Sequence, residues 1–259
     1  MHTFLFDSIV FGPVDSRRLG SSLGINLLPA GRKICTFNCI YCECGRTQAS
    51  HSRDSSFPDR EMIFNQLEKR LNELCNSRQQ PDAITFAGNG EPTLHPEFEG
   101  IISDTIKIRD SLSQGTDIVV LSNASRVHEP SVYNALSRAD KNVLKLDTGI
   151  EETFQVLNQP FGKVKLADII QNLKLFTGRM IIQTLFIRGQ YRDRWIDNTR
   201  ADELKELFKL YWILHPVEVM VYTFARGTAV TGLEKVSHDE LRNIADQIEG
   251  LGIKTDVQP

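Results

Sequence analysis

Apolar positions along this chain alternate between two patterns. Continuous apolar runs recur at residues 22–28, 83–87, 117–121, 143–146, 180–187 and 217–224, short enough for buried strands. Between them, apolar residues fall at helical spacing. Residues 60–78 carry Met62, Ile63, Leu67, Leu71 and Leu74, with Asp59 as a cap after Pro58. The same spacing predicts helices at 96–111, 130–138, 166–176, 201–214 and 238–249, the last capped by Ser237, and a short strand at 253–257. No repeat or low-complexity linker interrupts the alternation. Continuous apolar strands alternating with helices predict a parallel sheet with helices outside, as an open doubly wound sheet or as a complete or partial barrel. The chain reads as one domain over 1–259: an N-terminal extension at 1–21, a core at 22–224, and a C-terminal helix and short strand at 225–259.

In either architecture functional groups gather at the C-terminal ends of the strands. The conspicuous polar residues fall there. A cysteine-rich loop follows the first strand, residues 89–91 the second, Ser122 and Asn123 the third, and Asp147 the fourth, while Arg188 and Arg226 follow the last two. Composition narrows the class. In 259 residues, 30 basic and 33 acidic side chains give a net charge of −3, and 41% of the chain is hydrophobic, which excludes a disordered or collagen-like chain. The mild acidity argues against an indiscriminate nucleic-acid binder. Apolar stretches such as 118–121 and 210–214 fall far short of the ~20 residues of a spanning helix. Residues 1–7 lack a basic start, and Asp7 ends their apolar run before a signal-peptide core forms. The expectation is a cytoplasmic protein without membrane association, whose thiols stay reduced.

Four of the five cysteines, Cys35, Cys39, Cys42 and Cys44, lie within ten residues, and Cys75 stands apart. Thiolates crowded on a short loop in a reducing compartment are metal ligands, and soft sulfur selects zinc or an iron–sulfur cluster. A structural zinc site would use the same thiols, but zinc ribbons pair two knuckles, and none follows downstream. Cys44 is too close to Cys42 for shared ligation and reads as incidental. Cys75 sits at a helix position and reads as packing. His95, His128, His215 and His238 show no ligand pairing and read as non-catalytic.

The run Cys35-Thr36-Phe37-Asn38-Cys39-Ile40-Tyr41-Cys42 resembles the signature of the radical S-adenosylmethionine (radical SAM) superfamily. Asn89-Gly90-Glu91-Pro92 is similar to that family's Gly-Gly-Glu-Pro motif, with Asn89 departing from its first glycine, and Ser122-Asn123 stands where the family has a ribose-contacting polar pair. The stretch 11–25 resembles a branch related to the wyosine-forming tRNA enzymes. The resemblance implies a partial (β/α)6 TIM-like barrel and a 4Fe-4S cluster held by Cys35, Cys39 and Cys42. One iron is then left open to the amino and carboxylate groups of S-adenosyl-L-methionine. It implies reductive cleavage to a 5′-deoxyadenosyl radical, with an electron donor such as flavodoxin or ferredoxin. Tyr41, Gly90, Glu91, Ser122, Asn123 and Asp147 become the cofactor-contacting set, with Glu91 accepting from the cofactor's ammonium. Wyosine-type enzymes carry further cysteines for a second cluster. Only Cys44 and Cys75 remain here, so tRNA is the less favoured substrate. Arg17, Arg18, Arg188 and Arg226, with Arg192 and Arg194 near Tyr191 and Trp195, are placed at the barrel mouth, where arginine suits an anionic small molecule, nucleotide or peptide. The competing reading is a non-catalytic metal-binding or RNA-binding module using the loop structurally.

Overall fold

The computed structural model describes residues 4–47 and 57–258. The chain enters through an antiparallel hairpin, β1 (Val10–Ser16) and β2 (Gly20–Ile25). The cysteine segment follows, then α1 (Arg60–Asn76), β3 (Ala83–Phe86), α2 (Phe98–Leu112), β4 (Asp117–Ser122), α3 (Pro130–Arg138) and β5 (Lys141–Lys145). Two helices in succession, α4 (Glu151–Leu157) and α5 (Leu166–Lys174), precede β6 (Ile181–Leu185). Next come β7 (Ile187–Tyr191), β8 (Arg194–Asp197), α6 (Ala201–Leu214), β9 (Glu218–Tyr222), β10 (Leu233–Lys235), α7 (His238–Glu249) and β11 (Lys254–Gln258).

Eight strands form one sheet in the order β1-β2-β3-β4-β5-β6-β9-β11, and every neighbouring pair after the first is parallel. The sheet curls with β1 and β11 as its edges, giving the partial (β/α)6-type barrel. Alternation along each strand sends one set of side chains to the helices and the other inward. Ile63, Leu67, Leu71 and Leu74 of α1 are buried at helical spacing, whereas Met62 falls outside that stripe and is exposed. Asp59 caps this helix by accepting from the Glu61 amide at 2.8 Å. Ser237 caps α7 in a reciprocal pair with Glu240. On the inner face Ala83, Val119, Val143, Ile181 and Met220 form an apolar floor, closed by Leu19. Two positions further along the same strands stand Thr85, Leu121, Lys145, Gln183 and Tyr222. Among the described residues no helix is long and apolar enough to cross a membrane.

Four elements depart from the sequence pattern. β1 lies in the stretch expected as an N-terminal extension ahead of the core, and the turn carrying Arg17 and Arg18 falls at the N-terminal end of β2, opposite the cysteine loop. The apolar run 180–187 is two strands, parted at Phe186. What read as a mouth loop bearing Arg188, Arg192 and Arg194 is the β7–β8 hairpin, with Arg192 at φ +53° in its turn. β10 joins that hairpin in a separate three-stranded sheet. α4, too short to show a helical period, went unread.

Phe11 of β1 lies across Gly24 of β2 and stacks on Phe6, with ring centroids 3.7 Å apart. A Cβ on Gly24 would overlap the Phe11 ring. Gly24→Ala is therefore expected to cost about 1–3 kcal/mol of stability, read from urea unfolding followed by circular dichroism. Adding Phe11→Ala should recover most of that loss. An undiminished loss in the double variant would place the strain elsewhere.

Candidate active site

The cysteine segment has little regular structure, so its position depends on what clamps it. On one side Ile34 pairs with the turn after β3: its amide donates to the Asn89 carbonyl at 2.9 Å, and its carbonyl accepts from the Glu91 amide at 3.0 Å. Gly90 lies between, at φ +139°, and a Cβ there would collide with the Ile34 carbonyl oxygen. On the other side the Asn38 amide donates to Gln159 O and the Ile40 amide to Leu157 O, both at 3.0 Å, while Phe161 N donates to Thr36 O at 2.9 Å. α4 thus supplies one jaw of the clamp.

The loop presents Cys35, Cys39 and Cys42 as free thiols, Cys39 buried and the other two half-buried. Polar donors converge on the sulfurs. Phe37 N lies 3.4 Å and Asn123 Nδ2 3.5 Å from Cys35 Sγ, and Asn158 Nδ2 lies 3.6 Å from Cys39 Sγ. The Lys33 side chain is buried among them, donates to Gly45 O at 3.0 Å, and interacts electrostatically with all three cysteines. Burial pushes the Cys35 thiol up to about 12 against the pull of Lys33, and raises Cys39 likewise. The neighbouring Cys44 thiol and Lys33 draw Cys42 down to about 5. Amide donors and a buried cation suit sulfur that carries negative charge, which is the ligand form. Among the described residues no three His, Cys, Asp or Glu side chains converge on one ion. A four-iron cluster does not require that, because each thiolate binds a separate iron. The donor set therefore fits an iron–sulfur cluster. Cys44 lies against Cys42, with its thiol also within reach of Gly88 O at 3.3 Å, and Cys75 donates to Leu112 O at 3.2 Å between α1 and α2.

Beside this loop Glu91, Ser122 and Asn123 meet. Glu91 Oε1 accepts from Thr93 Oγ1 at 2.6 Å, Ser122 Oγ at 2.8 Å and Thr93 N at 3.2 Å, whereas among the described residues Oε2 accepts only from Asn123 N, at 2.7 Å. Burial raises this carboxyl while the hydrogen bonds oppose the shift. The remaining acceptor capacity lies on Oε2. Asn123 also donates to Thr36 Oγ1 at 2.8 Å, joining the nest to the cysteine loop. Asn89, in the place of a glycine, uses its amide group on the N-terminal segment. It accepts from Phe6 N and donates to Phe6 O, both at 2.8 Å, and donates to Pro29 O at 3.1 Å.

Asp147 is buried in the interior, away from solvent. Its carboxylate accepts from the Tyr41 hydroxyl, from Asn158 Nδ2 at 2.7 Å and from Leu185 N at 3.0 Å, and Lys145 Nζ stands 3.8 Å away. Burial, then the Asp147 charge, holds the Tyr41 phenol well above its usual range. Burial would lower the Lys145 ammonium, but Asp147, Tyr222 and Cys39 outweigh it and raise it. No local signal in the sequence marks Lys33, Asn158 or Tyr222. Lys145 did carry a signal, as a charge interrupting a buried apolar strand two residues before Asp147.

The four arginines separate. Arg188 faces α7, with Nη2 2.7 Å from Glu240 and Nε 3.7 Å from Asp197, so its charge is met within the fold. Arg17 is exposed at the N-terminal rim. Arg226 is exposed beside the cysteine loop, 3.8 Å from Glu43 and over the Phe4 ring. Arg18 turns inward and lies 4.6 Å from the Tyr222 ring centroid.

A "UPF0026 protein" of Helicobacter pylori is 32% identical over 246 residues, 94% of this chain and 74% of that protein. Two solved structures share the fold. A radical SAM methyltransferase from Sphaerobacter thermophilus has a TM-score of 0.64 at 14% identity, covering 92% of this chain and 65% of that one. TYW1, solved with a lysine–pyruvate adduct bound, has a TM-score of 0.59 at 15% identity, covering 88% and 73%. The Radical SAM superfamily model matches residues 33–216, from two residues before Cys35 to two residues before β9. The chain belongs to the radical SAM superfamily.

Proposed function

We propose that the chain, acting as a single domain over residues 1–259, holds a 4Fe-4S cluster through Cys35, Cys39 and Cys42 and cleaves S-adenosyl-L-methionine reductively. The observation that carries this reading is the set of amide donors and the buried Lys33 directed at free thiols, next to a carboxylate with acceptor capacity to spare. The chemistry such a cluster supplies when bound is one electron into a sulfur–carbon bond of the cofactor, releasing a 5′-deoxyadenosyl radical. The residues of the chain bind and orient. Glu91 Oε2 accepts from the cofactor's ammonium, and Gly90 lets backbone approach. Asn123 bridges that contact to the cysteine loop, while Ser122 and Thr93 hold Glu91 in place. Tyr41, its hydroxyl committed to Asp147, contributes backbone near the adenine. Asp147 acts as the anchor of the loop from below.

The electron comes from an external donor such as flavodoxin or ferredoxin in the cytoplasm. The substrate is anionic, because Arg18 turns into the interior with its Nη1 buried and unpartnered. The likeness to TYW1 keeps the wyosine-related branch as the nearest analogy. Against tRNA stands the cysteine count: beyond Cys35, Cys39 and Cys42 only Cys44 and Cys75 remain, too few for a second three-cysteine set.

Two outcomes check the assignment. In anaerobically reconstituted protein, Cys35→Ala, Cys39→Ala and Cys42→Ala should each abolish iron incorporation, whereas Cys44→Ala and Cys75→Ala retain it by iron counting. Loss of iron in Cys44→Ala as complete as in Cys39→Ala would defeat the three-ligand reading. Glu91→Gln should keep its iron, but need roughly tenfold more S-adenosylmethionine for half-maximal release of 5′-deoxyadenosine, since one charge-assisted contact is weakened. An unchanged concentration dependence would take Glu91 out of the cofactor site.

A further inference from the structure

The barrel interior below the cysteine loop contains a cavity of about 160 Å³. Phe6, Phe11, Leu121 and Met220 give it apolar walls, and Ser22, Thr85 and Arg18 supply polar groups. Ser22 and Thr85 hydrogen-bond each other at 2.7 Å. Arg18 is different. Its guanidinium lies over the Tyr222 ring, 4.6 Å from the centroid, and Nη1 is buried from solvent with no hydrogen-bond partner. Among the described residues no carboxylate pairs with it. A buried donor on a charged group is costly to leave unmet, by more than for a neutral group.

The surrounding charges define what would meet it. Lys145 Nζ lies 3.4 Å from the Tyr222 hydroxyl and 3.8 Å from Asp147. Tyr222 therefore stands between two cations, and Asp147 balances only Lys145. One positive charge is left over, on Arg18. Lys145 Nζ also lies 5.2 Å from the ring of Tyr41 in the cysteine loop, so contacts run from Arg18 through Tyr222 and Lys145 to the loop proposed for radical generation. The volume lies below the ~300–1,000 Å³ of pockets that take drug-sized ligands, which suits a molecule smaller than a nucleotide.

We propose that this cavity binds a small monocarboxylate, held by the Arg18 guanidinium fork against Tyr222, with its apolar part toward Phe11 and Leu121. The inference rests on the proposed function, because the bound acid would be the molecule presented to the radical. Arginine matches a carboxylate with two parallel N–H donors, and Tyr222 fixes the plane of that fork. It also explains why Arg18 alone among the four candidate arginines turns inward.

The test uses anaerobically reconstituted protein and saturation-transfer NMR with acetate and lactate as probes. Wild-type protein should show transfer to both. Arg18→Met should lose it by roughly tenfold, and Arg18→Lys, which keeps charge without the fork, should retain an intermediate signal. Thermal melts establish that each variant is folded. Where Arg18→Met does not fold, Arg18→Lys against wild type decides alone. Equal transfer in wild type and variants overturns the assignment, as does complete displacement of acetate by an equal concentration of inorganic phosphate. Release of 5′-deoxyadenosine is measured on the same preparation. Cleavage without a carboxylate signal removes this inference and leaves the enzyme reading, whereas a carboxylate signal without cleavage removes the enzyme reading and with it the acid's role as substrate, leaving only the binding site.

Discussion

The backbone contact between Ile34 and Gly90 is the constraint on which the site depends. A loop with little regular structure cannot hold three thiols in a fixed arrangement through its own hydrogen bonds. This one borrows the turn after β3 as a partner, exchanging amide and carbonyl on either side of a residue that must lack a Cβ. The same turn carries Glu91, so whatever fixes the cysteine loop also fixes the carboxylate beside it. Asn123 adds a third tie, reaching from the end of β4 to Thr36 and Cys35. Three consecutive strand ends are thereby locked into one unit. This is how a parallel sheet turns the separate ends of its strands into a single site.

The second jaw brings electrostatics with it. Asn158, at the C-terminal end of α4, donates to Asp147 and sits against Cys39. Asp147 in turn receives Tyr41 from the loop and Leu185 N from β6. A carboxylate this deeply buried is tolerable only with its acceptors filled and a cation near, and Lys145 supplies the cation. Truncating either partner would strand a charge in the interior, a loss of about 3–5 kcal/mol. The network therefore positions the loop at the cost of committing Asp147 completely. A residue at a strand end, where free functional groups are expected, here serves as the anchor of its neighbour.

Much of this was legible in the sequence because each signal was local. Continuous apolar runs marked the parallel strands, since both faces of such strands are covered. Cysteine spacing marked the loop, and the residues after each strand marked Glu91, Ser122 and Asn123. What escaped depended on partners distant in the chain. α4 spans too few turns to show a period, yet it clamps the loop. β1 carries Gly12, Pro13 and polar residues at an edge, so its alternation is weak and its pairing with β2 could not be read. That omission moved the Arg17–Arg18 turn to the wrong rim. The β7–β8 hairpin was hidden for a similar reason: Arg188, Arg192 and Arg194 resemble a basic loop until Asp197 and Glu240 arrive from elsewhere to meet Arg188.

Asn89 shows how a departure from a motif can report on the rest of the fold. Glycine at that position would serve the turn equally well, since the strained backbone belongs to Gly88 and Gly90 on either side, at φ +145° and +139°. Asparagine adds a side-chain amide that can imitate a peptide group, accepting and donating to the Phe6 backbone as a neighbouring strand would. The segment so held brings Phe6 onto Phe11, and Phe11 onto Gly24, closing the side of the barrel at the edge where the sheet stops. A barrel that does not close by strand pairing exposes its interior there, and the radical chemistry of this family requires water to be kept out. The substitution in the motif and the aromatic wall are therefore two parts of one solution. The turn that presents Glu91 also ties down the segment that seals the cavity beneath it.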